Sequence, residues 1–328
     1  MTRAELTEVL AQVLGDKPWP RPLNQLQGVA MVKDRGMDVK EAAKAIRSNA
    51  AALNRALAAR DPVAEVLGVH GGELTDAARR KAMQILGQLL LGRCAEAAFE
   101  DIYKREMRTT ELELRDFREN RTDTDYRLYN GQGRPVYRIN IKFHGSLFRR
   151  AKELVGLEPD DCFALATYKI YNALQKQDQD RLPYFFAVVG VRDISGENIG
   201  RQIPASLINT AALIHEAPKA AGRRDFEDSV IEHLAKTSHP LYTNTLKRVE
   251  EAEWYILSAR RADKLLREKL FDRVFALKIR NFTRAFRSAE VDMHFSLSQD
   301  MTPLRVYLKT LRETGPHAVT TRLERGEY

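Results

Sequence analysis

The feature that most constrains the fold is a β-hairpin signal in the middle of the chain. Two strand-like runs, Tyr126–Tyr129 and residues 134–143, flank the dipeptide Asn130-Gly131. An Asn-Gly turn between alternating segments favours two antiparallel strands. Residues two apart on a strand share a face, so the second strand has a polar face and an apolar face. The polar face holds Arg138, Asn140 and Lys142, and the apolar face Tyr137, Ile139, Ile141 and Phe143.

Charged and polar side chains gather at one end of this predicted hairpin. Asp125 comes directly before the first strand, and Asn140 and Lys142 lie near the end of the second. An acid, an oxygen ligand and a lysine that meet at strand ends can bind a divalent cation and hold a phosphodiester. The hairpin is therefore a candidate site as well as a fold signal.

This motif resembles that of the PD-(D/E)XK, or restriction-endonuclease-like, nuclease superfamily. The family places an acid at the start of one strand, and a second acid, any residue and a lysine on the next. Asp125 matches the first acid and Lys142 the lysine, whereas Asn140 stands where the second acid is expected. An asparagine offers a neutral oxygen, which binds Mg²⁺ more weakly than a carboxylate does.

The order of predicted elements around the hairpin is similar to that family's αβββαβ core. A helical pattern over residues 76–104 precedes a strand at 111–117 and the hairpin; a helix at 160–176 and an apolar strand at 182–191 follow. Family members often carry a glutamate on the first helix, and Glu96 matches it. The predicted fold class is α/β, with helical domains flanking the core on its N-terminal and C-terminal sides.

The resemblance implies Mg²⁺-dependent hydrolysis of phosphodiester bonds, with Mn²⁺ as a possible substitute. Lys142 would lie near the attacking water or the developing negative charge. Lys169 and Gln175, on the second helix, are further polar candidates. The implied catalytic residues are Asp125, Asn140, Lys142 and Glu96, and the implied metal ligands are Asp125, Glu96, Asn140 and the main-chain carbonyl of Ile141.

Each of these residues also has a purely structural explanation. Asp125 is a residue type common in turns. Lys142 is typical of an edge strand that resists aggregation. Glu96 is an ordinary acid for a helix surface. Only the combination of the three favours a nuclease site.

The composition favours a multidomain protein with an anionic partner. A chain of 328 residues predicts two or three domains, and its net charge of +8 suits nucleic acid. Two cysteines without metal-ligand spacing, no signal peptide and no apolar run of membrane length predict a cytoplasmic protein without a membrane partner. No GxxxxGK[ST] loop is present, which argues against an ATP-driven motor.

The N-terminal segment, residues 1–73, predicts a helix-turn-helix-like DNA-binding domain and a linker. Three short helices are expected at residues 23–35, 38–47 and 49–59. If the third enters a major groove, it exposes side chains suited to adenine and guanine edges, namely Asn49, Asn54 and Arg55. A plain helical hairpin is the alternative.

The C-terminal segment, residues 217–328, predicts a basic helical domain behind a nuclease-like core at 74–216. Its longest helix is expected over residues 243–287, and its last over 301–314. On the long helix one stripe would follow a phosphate backbone or simply face solvent. That stripe consists of Arg273, Arg280, Arg284 and Arg287.

These observations predict a metal-dependent DNA endonuclease, such as a restriction or other anti-invader enzyme. Its partner would be double-stranded DNA, and a homodimer would match a two-fold symmetric site. One alternative is a DNA-binding regulator or scaffold with an inactive nuclease fold, which Asn140 favours. Another is a repair or recombination nuclease, and RNA stays open as a substrate.

Overall fold

The computed structural model describes residues 1–15, 74–118, 124–143, 147–190, 196–216, 223–282 and 286–325. Within these residues the fold is α/β, as predicted. It has a mixed six-stranded sheet, a three-stranded antiparallel sheet and surrounding helices. The helices predicted between residues 23 and 59, with Asn49, Asn54 and Arg55, lie outside the described residues.

The elements are numbered in chain order. The helices are α1 (Arg3–Leu14), α2 (Asp76–Met107), α3 (Ala151–Val155), α4 (Thr167–Asp180), α5 (Gly196–Gly200), α6 (Ala205–Glu216), α7 (Arg223–Lys236), α8 (Pro240–Glu250), α9 (Ala259–Glu268), α10 (Leu270–Arg273), α11 (Leu297–Asp300) and α12 (Leu304–Arg325). The strands are β1 (Glu113–Asp116), β2 (Tyr126–Tyr129), β3 (Pro135–Phe143), β4 (Cys162–Ala166), β5 (Tyr184–Gly190), β6 (Glu253–Ser258), β7 (Val274–Phe282), β8 (Phe286–Ser296) and β9 (Thr302–Pro303).

The chain forms two compact units. One comprises Met1–Leu91 and Ser195–Asn244, and the other Gly92–Ile194 and Thr245–Tyr328. In the first unit, α1 packs against α6 and α7. Its N-terminus is fixed by a capping box, in which the Thr2 N–H donates to Glu5 Oε2 at 2.7 Å and the Glu5 N–H donates to Thr2 Oγ1 at 3.3 Å.

The second unit contains the six-stranded sheet, with the strand order β1-β2-β3-β5-β6-β9. β1, β2 and β3 form an antiparallel meander, β3 runs parallel to β5, and β5 pairs antiparallel with β6. β3 and β5 therefore lie at the middle of the sheet.

The predicted hairpin is confirmed, and its turn shows why the local sequence was sufficient. The Asn130 side-chain oxygen accepts from the main-chain N–H groups of Gln132 and Arg134, at 3.1 and 3.0 Å. Gly133 has φ of 70°, a left-handed conformation that glycine adopts without strain. The turn residues thus fix the pairing of β2 with β3.

Both faces of the sheet carry a hydrophobic core, so the prediction that β5 is buried on both faces is confirmed. On one face, the Phe99 ring of α2 lies 5.8 Å from Tyr126 and 5.9 Å from Trp254. On the other face, Phe186 and Val188 pack in one cluster with residues of α4, α9 and the three-stranded sheet. The end of β3 that carries Lys142 lies beside this second cluster because Lys142 pairs with Val188.

The helix predicted over 160–176 is wrong in its first half. Cys162–Ala166 forms β4, which pairs antiparallel with β8 through Cys162 and Ser296. The helix begins only at Thr167. The apolar run Cys-Phe-Ala-Leu-Ala is compatible with a helix or a strand. It forms a strand because it pairs with β8, which lies far along the chain.

The single helix predicted over 243–287 is also wrong. The segment divides into α8, β6, α9, α10 and β7, and β6 joins the same sheet as β5. β7 and β8 form an antiparallel hairpin. In Val274–Phe282 apolar and polar residues partly alternate, which suits a strand better than a helix.

The arginine stripe predicted on that helix does not exist as a helical face. Arg273 ends α10, Arg280 belongs to β7 and Arg287 to β8, while Arg284 lies outside the described residues. The last helix begins at Leu304 rather than at 301, because Thr302 and Pro303 pair with β6, and it is interrupted at Gly315.

Among the helices in the described parts of the chain, none has the length and apolar character needed to cross a membrane.

Candidate active site at the ends of β2 and β3

Asp125 links the start of β2 to the end of β3. Its Oδ2 accepts a hydrogen bond from the Ile141 main-chain N–H at 2.6 Å. The register pairs Tyr126 with Ile139, which puts Asp125 beside the last residues of β3. The carboxylate is therefore fixed by main-chain geometry at the strand end where Lys142 lies.

Lys142 is a partly buried lysine whose ammonium donates a hydrogen bond to the main chain. Its Nζ donates to the Ile141 carbonyl at 3.0 Å. Burial lowers the pKa of Lys142 to about 8, although the negative charges of Asp125 and Glu96 oppose this change. The nearby positive charge of Lys169, on α4, also lowers the pKa. Lys142 is thus close to the point at which it releases its proton at physiological pH.

Asp125 shows the complementary perturbation. Burial raises the pKa of its carboxyl group above the ordinary value, and the negative charge of Glu96 adds to the increase. The attraction of Lys142 and the hydrogen bond from Ile141 lower the pKa, but less than burial raises it. Burial perturbs both members of this acid–base pair, which is typical of functional sites.

Glu96 reaches the same end of the sheet from α2. The helix comes close to β3 because Gly92 has no side chain: a Cβ there would lie 2.9 Å from the Phe143 ring. The Tyr126 hydroxyl donates to the Glu96 carbonyl at 3.1 Å and holds this turn of the helix. The Glu96 side chain is therefore close enough to raise the pKa of Asp125.

Two arginines hold the Glu96 carboxylate. Arg118 Nη1 lies 2.9 Å and Arg93 Nη1 3.2 Å from Glu96 Oε2. The Arg118 side chain is 19% exposed and also pairs with Asp116. Arg118 was missed in the sequence, although its position two residues after Asp116 puts both on one face of an extended segment.

The remaining predicted residues lie at different distances from this cluster. Asn140 is partly exposed, two residues before Lys142 on the same strand, so the two share a face. Lys169 interacts electrostatically with Lys142, whereas Gln175 is exposed two turns along α4. Arg138, on the same face as Asn140, is committed to Asp180, with Nε 2.9 Å from Oδ2.

The donor set suits Mg²⁺ in its chemistry. Mg²⁺ takes oxygen ligands and binds through one or two carboxylates while keeping several waters. Asp125 and Glu96 carry carboxylates, and the Ile141 carbonyl and the Asn140 amide carry further oxygens, so the residue types fit this ion. In the described residues no group of three or more His, Cys, Asp and Glu side chains is arranged to hold a metal ion. A metal bound here would therefore have no more than two carboxylate ligands.

Comparison of the chain with protein-family models, with curated proteins and with solved structures finds no match. The resemblance to the nuclease superfamily, drawn from a short motif and an order of elements, therefore stays a prediction.

Proposed function

We propose that this protein is a divalent-metal-dependent nuclease that hydrolyses phosphodiester bonds in DNA. One observation carries the proposal: Asp125 and Lys142 both bond to the main chain of Ile141, where β2 begins and β3 ends, and burial perturbs the pKa of both. A partly buried lysine beside a partly buried acid is costly for stability. Such a pair is easier to explain by chemistry than by folding.

The order and pairing of the elements support a nuclease-like core. α2, β1, β2, β3, α4 and β5 follow one another in the order αβββαβ, with α3 and β4 inserted before α4. Because β2 and β3 are antiparallel, the start of β2 with Asp125 lies beside the end of β3 with Lys142. β5 then runs parallel to β3. Residues from α2, β2 and β3 can then act on one substrate.

The residues of the site would have different roles in hydrolysis. Asp125 and Glu96, with the Ile141 carbonyl and Asn140, would hold Mg²⁺, which when bound polarises a phosphate and acidifies water. Lys142, as an ammonium, would stabilise negative charge that develops on the phosphate. Asn140 would orient the attacking water through its amide. The proposal includes a defence role and a homodimer acting on double-stranded DNA.

A second candidate is a DNA-binding regulator or scaffold that does not cut. The ion pairs of Glu96 with Arg93 and Arg118 favour it, because they occupy one of the two carboxylates that a metal needs. The hydrogen bond from Lys142 to the Ile141 carbonyl occupies a second ligand. The neutral side chain of Asn140 adds to the same argument.

Cleavage of supercoiled plasmid separates the two candidates. With Mg²⁺ or Mn²⁺ we expect nicking or linearisation, and loss of about 100-fold or more in rate for Lys142→Met, because the charge that stabilises the transition state is removed. Lys152→Met is the matched control, since Lys152 is an exposed surface lysine paired with Glu158. A branched DNA substrate beside the plasmid tests the repair or recombination alternative.

One outcome would contradict the nuclease, and another would contradict the role given to Lys142. Retained DNA binding without cleavage by any divalent metal would favour the regulator. Equal cleavage by wild type and Lys142→Met would remove Lys142 from the chemistry. A crystal soaked in Mn²⁺ adds a structural test, with an ion expected within coordination distance of Asp125 and the Ile141 carbonyl.

A further inference from the structure

Helix α4 exposes two tyrosines on a helix that is otherwise anchored in the core. The Tyr168 side chain is 53% exposed and Tyr171 is 57% exposed. Residues three apart lie on the same side of a helix, so the two rings share a face. Each ring is a large apolar surface with a polar hydroxyl, so two rings on one exposed helix face form a surface suited to contact with a partner.

The opposite face of α4 makes the helix a rigid support. Ile170 and Ala173 are buried in the core cluster with Phe186 of β5. The Gln177 side-chain oxygen accepts the Tyr184 N–H at 3.0 Å, which ties the end of the helix to the start of β5. The tyrosine rings are thus presented on a helix that cannot turn them inward.

Helix α4 lies close to the candidate active site, because its buried face packs in one cluster with Val188, which pairs with Lys142. The Lys169 ammonium lies 6.0 Å from the centroid of the Tyr168 ring, and its charge also acts on Lys142. The same exposed side of the helix carries two amides, Asn172 and Gln175. Rings, amides and a cation therefore share this part of the helix, and the cation is the member whose charge reaches Lys142.

We infer that this surface, Tyr168, Lys169, Tyr171, Asn172 and Gln175, binds an unpaired segment of a nucleic acid and leads it to Asp125 and Lys142. The inference rests on the proposed function and narrows its substrate to double-stranded DNA that also carries an unpaired segment, such as a flap, an overhang or a branch. Aromatic side chains stack on unpaired bases whatever the sequence. Bases inside a duplex already stack on one another and leave exposed rings without a partner.

The spacing and the charge agree with a single strand. Tyr168 and Tyr171 are separated by about 4.5 Å along the helix axis, from a rise of about 1.5 Å per residue. Successive bases of one strand are about 3.4 Å apart when fully stacked, so neighbouring bases can reach both rings. Lys169 lies where it can meet the phosphates between them, and the amides can reach base edges.

The test is the binding of fluorescent oligothymidylate, compared with a duplex of the same length, by anisotropy in EDTA so that nothing is cut. Tyr168→Ala and Tyr171→Ala should each weaken binding of the single strand about tenfold, with duplex binding changed less than about twofold. Tyr168→Phe with Tyr171→Phe keeps the rings and should bind as wild type. Phe271→Ala, at a phenylalanine that is 96% exposed on α10, is the control for removal of a surface aromatic.

Three results would overturn the inference. The alanine and phenylalanine variants could bind the single strand with equal affinity, or Phe271→Ala could lose as much affinity as the tyrosine variants. An alanine variant could also change only self-association, measured by sedimentation. The last result would identify the tyrosine face as a protein interface. Failure of the nuclease proposal is distinguishable, because tyrosine-dependent binding without cleavage leaves the binding surface standing. Plasmid cleavage at the wild-type rate in both alanine variants would support the nuclease and contradict the binding surface.

Discussion

The second unit contains an aspartate–lysine ion pair and, at the candidate site, an aspartate and a lysine that affect one another through their charges without a direct ion pair. In the first, Lys269 Nζ lies 2.7 Å from Asp300 Oδ1, and the Asp300 side chain is 2% exposed. The other oxygen of Asp300 accepts the Ser296 N–H at 2.8 Å. Each carboxylate oxygen therefore has its own donor, and the pair joins the end of α9 to α11.

The pair of Asp125 and Lys142 contains the same chemical groups but is less well compensated. Lys142 donates to a main-chain carbonyl, and burial dominates the pKa of both side chains. An aspartate and a lysine in the same unit can therefore either stabilise the fold or retain perturbed pKa values that suit catalysis. Which role applies depends on how completely the surrounding groups satisfy the charges.

The largest effect that would sharpen this comparison is on stability. Asp300→Ala should lower the free energy of unfolding by about 3 kcal/mol, because it leaves Lys269 and the Ser296 N–H without their acceptor. Urea unfolding followed by circular dichroism measures the change.

The matched substitution is Asp125→Ala, for which we expect a change within about 1 kcal/mol. Burial already disfavours the charged form of this carboxyl group, so its removal offsets the lost hydrogen bond to Ile141. Equal losses for the two variants would mean that both pairs serve the fold.

The pH dependence of cleavage provides a second contrast. Lys142 has a folded-state pKa of about 8, below the ordinary 10.5, so its ammonium is present below pH 8 and is lost as the pH rises through it. The cleavage rate should then fall by up to about tenfold per pH unit above 8. In Lys142→Arg any remaining activity should lack this limb, since a guanidinium stays charged. A limb that persists in the arginine variant would assign the titration to another group.

A smaller effect concerns metal affinity. Arg118→Gln should raise the affinity for Mn²⁺ about fivefold by releasing the Glu96 carboxylate from a partly buried ion pair. Arg93→Gln is the control with a smaller expected gain, because the Arg93 side chain is 45% exposed and exposed pairs contribute little. Calorimetric titration measures both. Lower affinity in Arg118→Gln would show that this arginine supports the site.

The sequence was sufficient where structure is decided locally. The hairpin follows from Asn130 and the alternation around it, because the turn and its hydrogen bonds involve only neighbouring residues. The long amphipathic pattern of α2 was likewise predictable, and with it the position of Glu96. Asp125 and Lys142 could be brought together from strand pairing alone.

The sequence was insufficient where distant segments decide. β4 depends on β8, more than a hundred residues later, and β6 depends on β5. Their short apolar runs suit a helix or a strand equally until the partner is known. The ion pairs of Arg118 and the perturbation of Lys142 depend on burial in the same way, so neither could be predicted from residue spacing.

The most direct test of the central claim is the pKa of Lys142 itself, measured by competitive amine labelling and mass spectrometry across pH. Lys152 serves as an internal reference, since pairing with Glu158 raises its pKa above the ordinary value. We predict that labelling of Lys142 has its midpoint at about pH 8, well below that of Lys152. Coincident midpoints above pH 10 would show that Lys142 is an ordinary solvated lysine and would contradict the proposed active site.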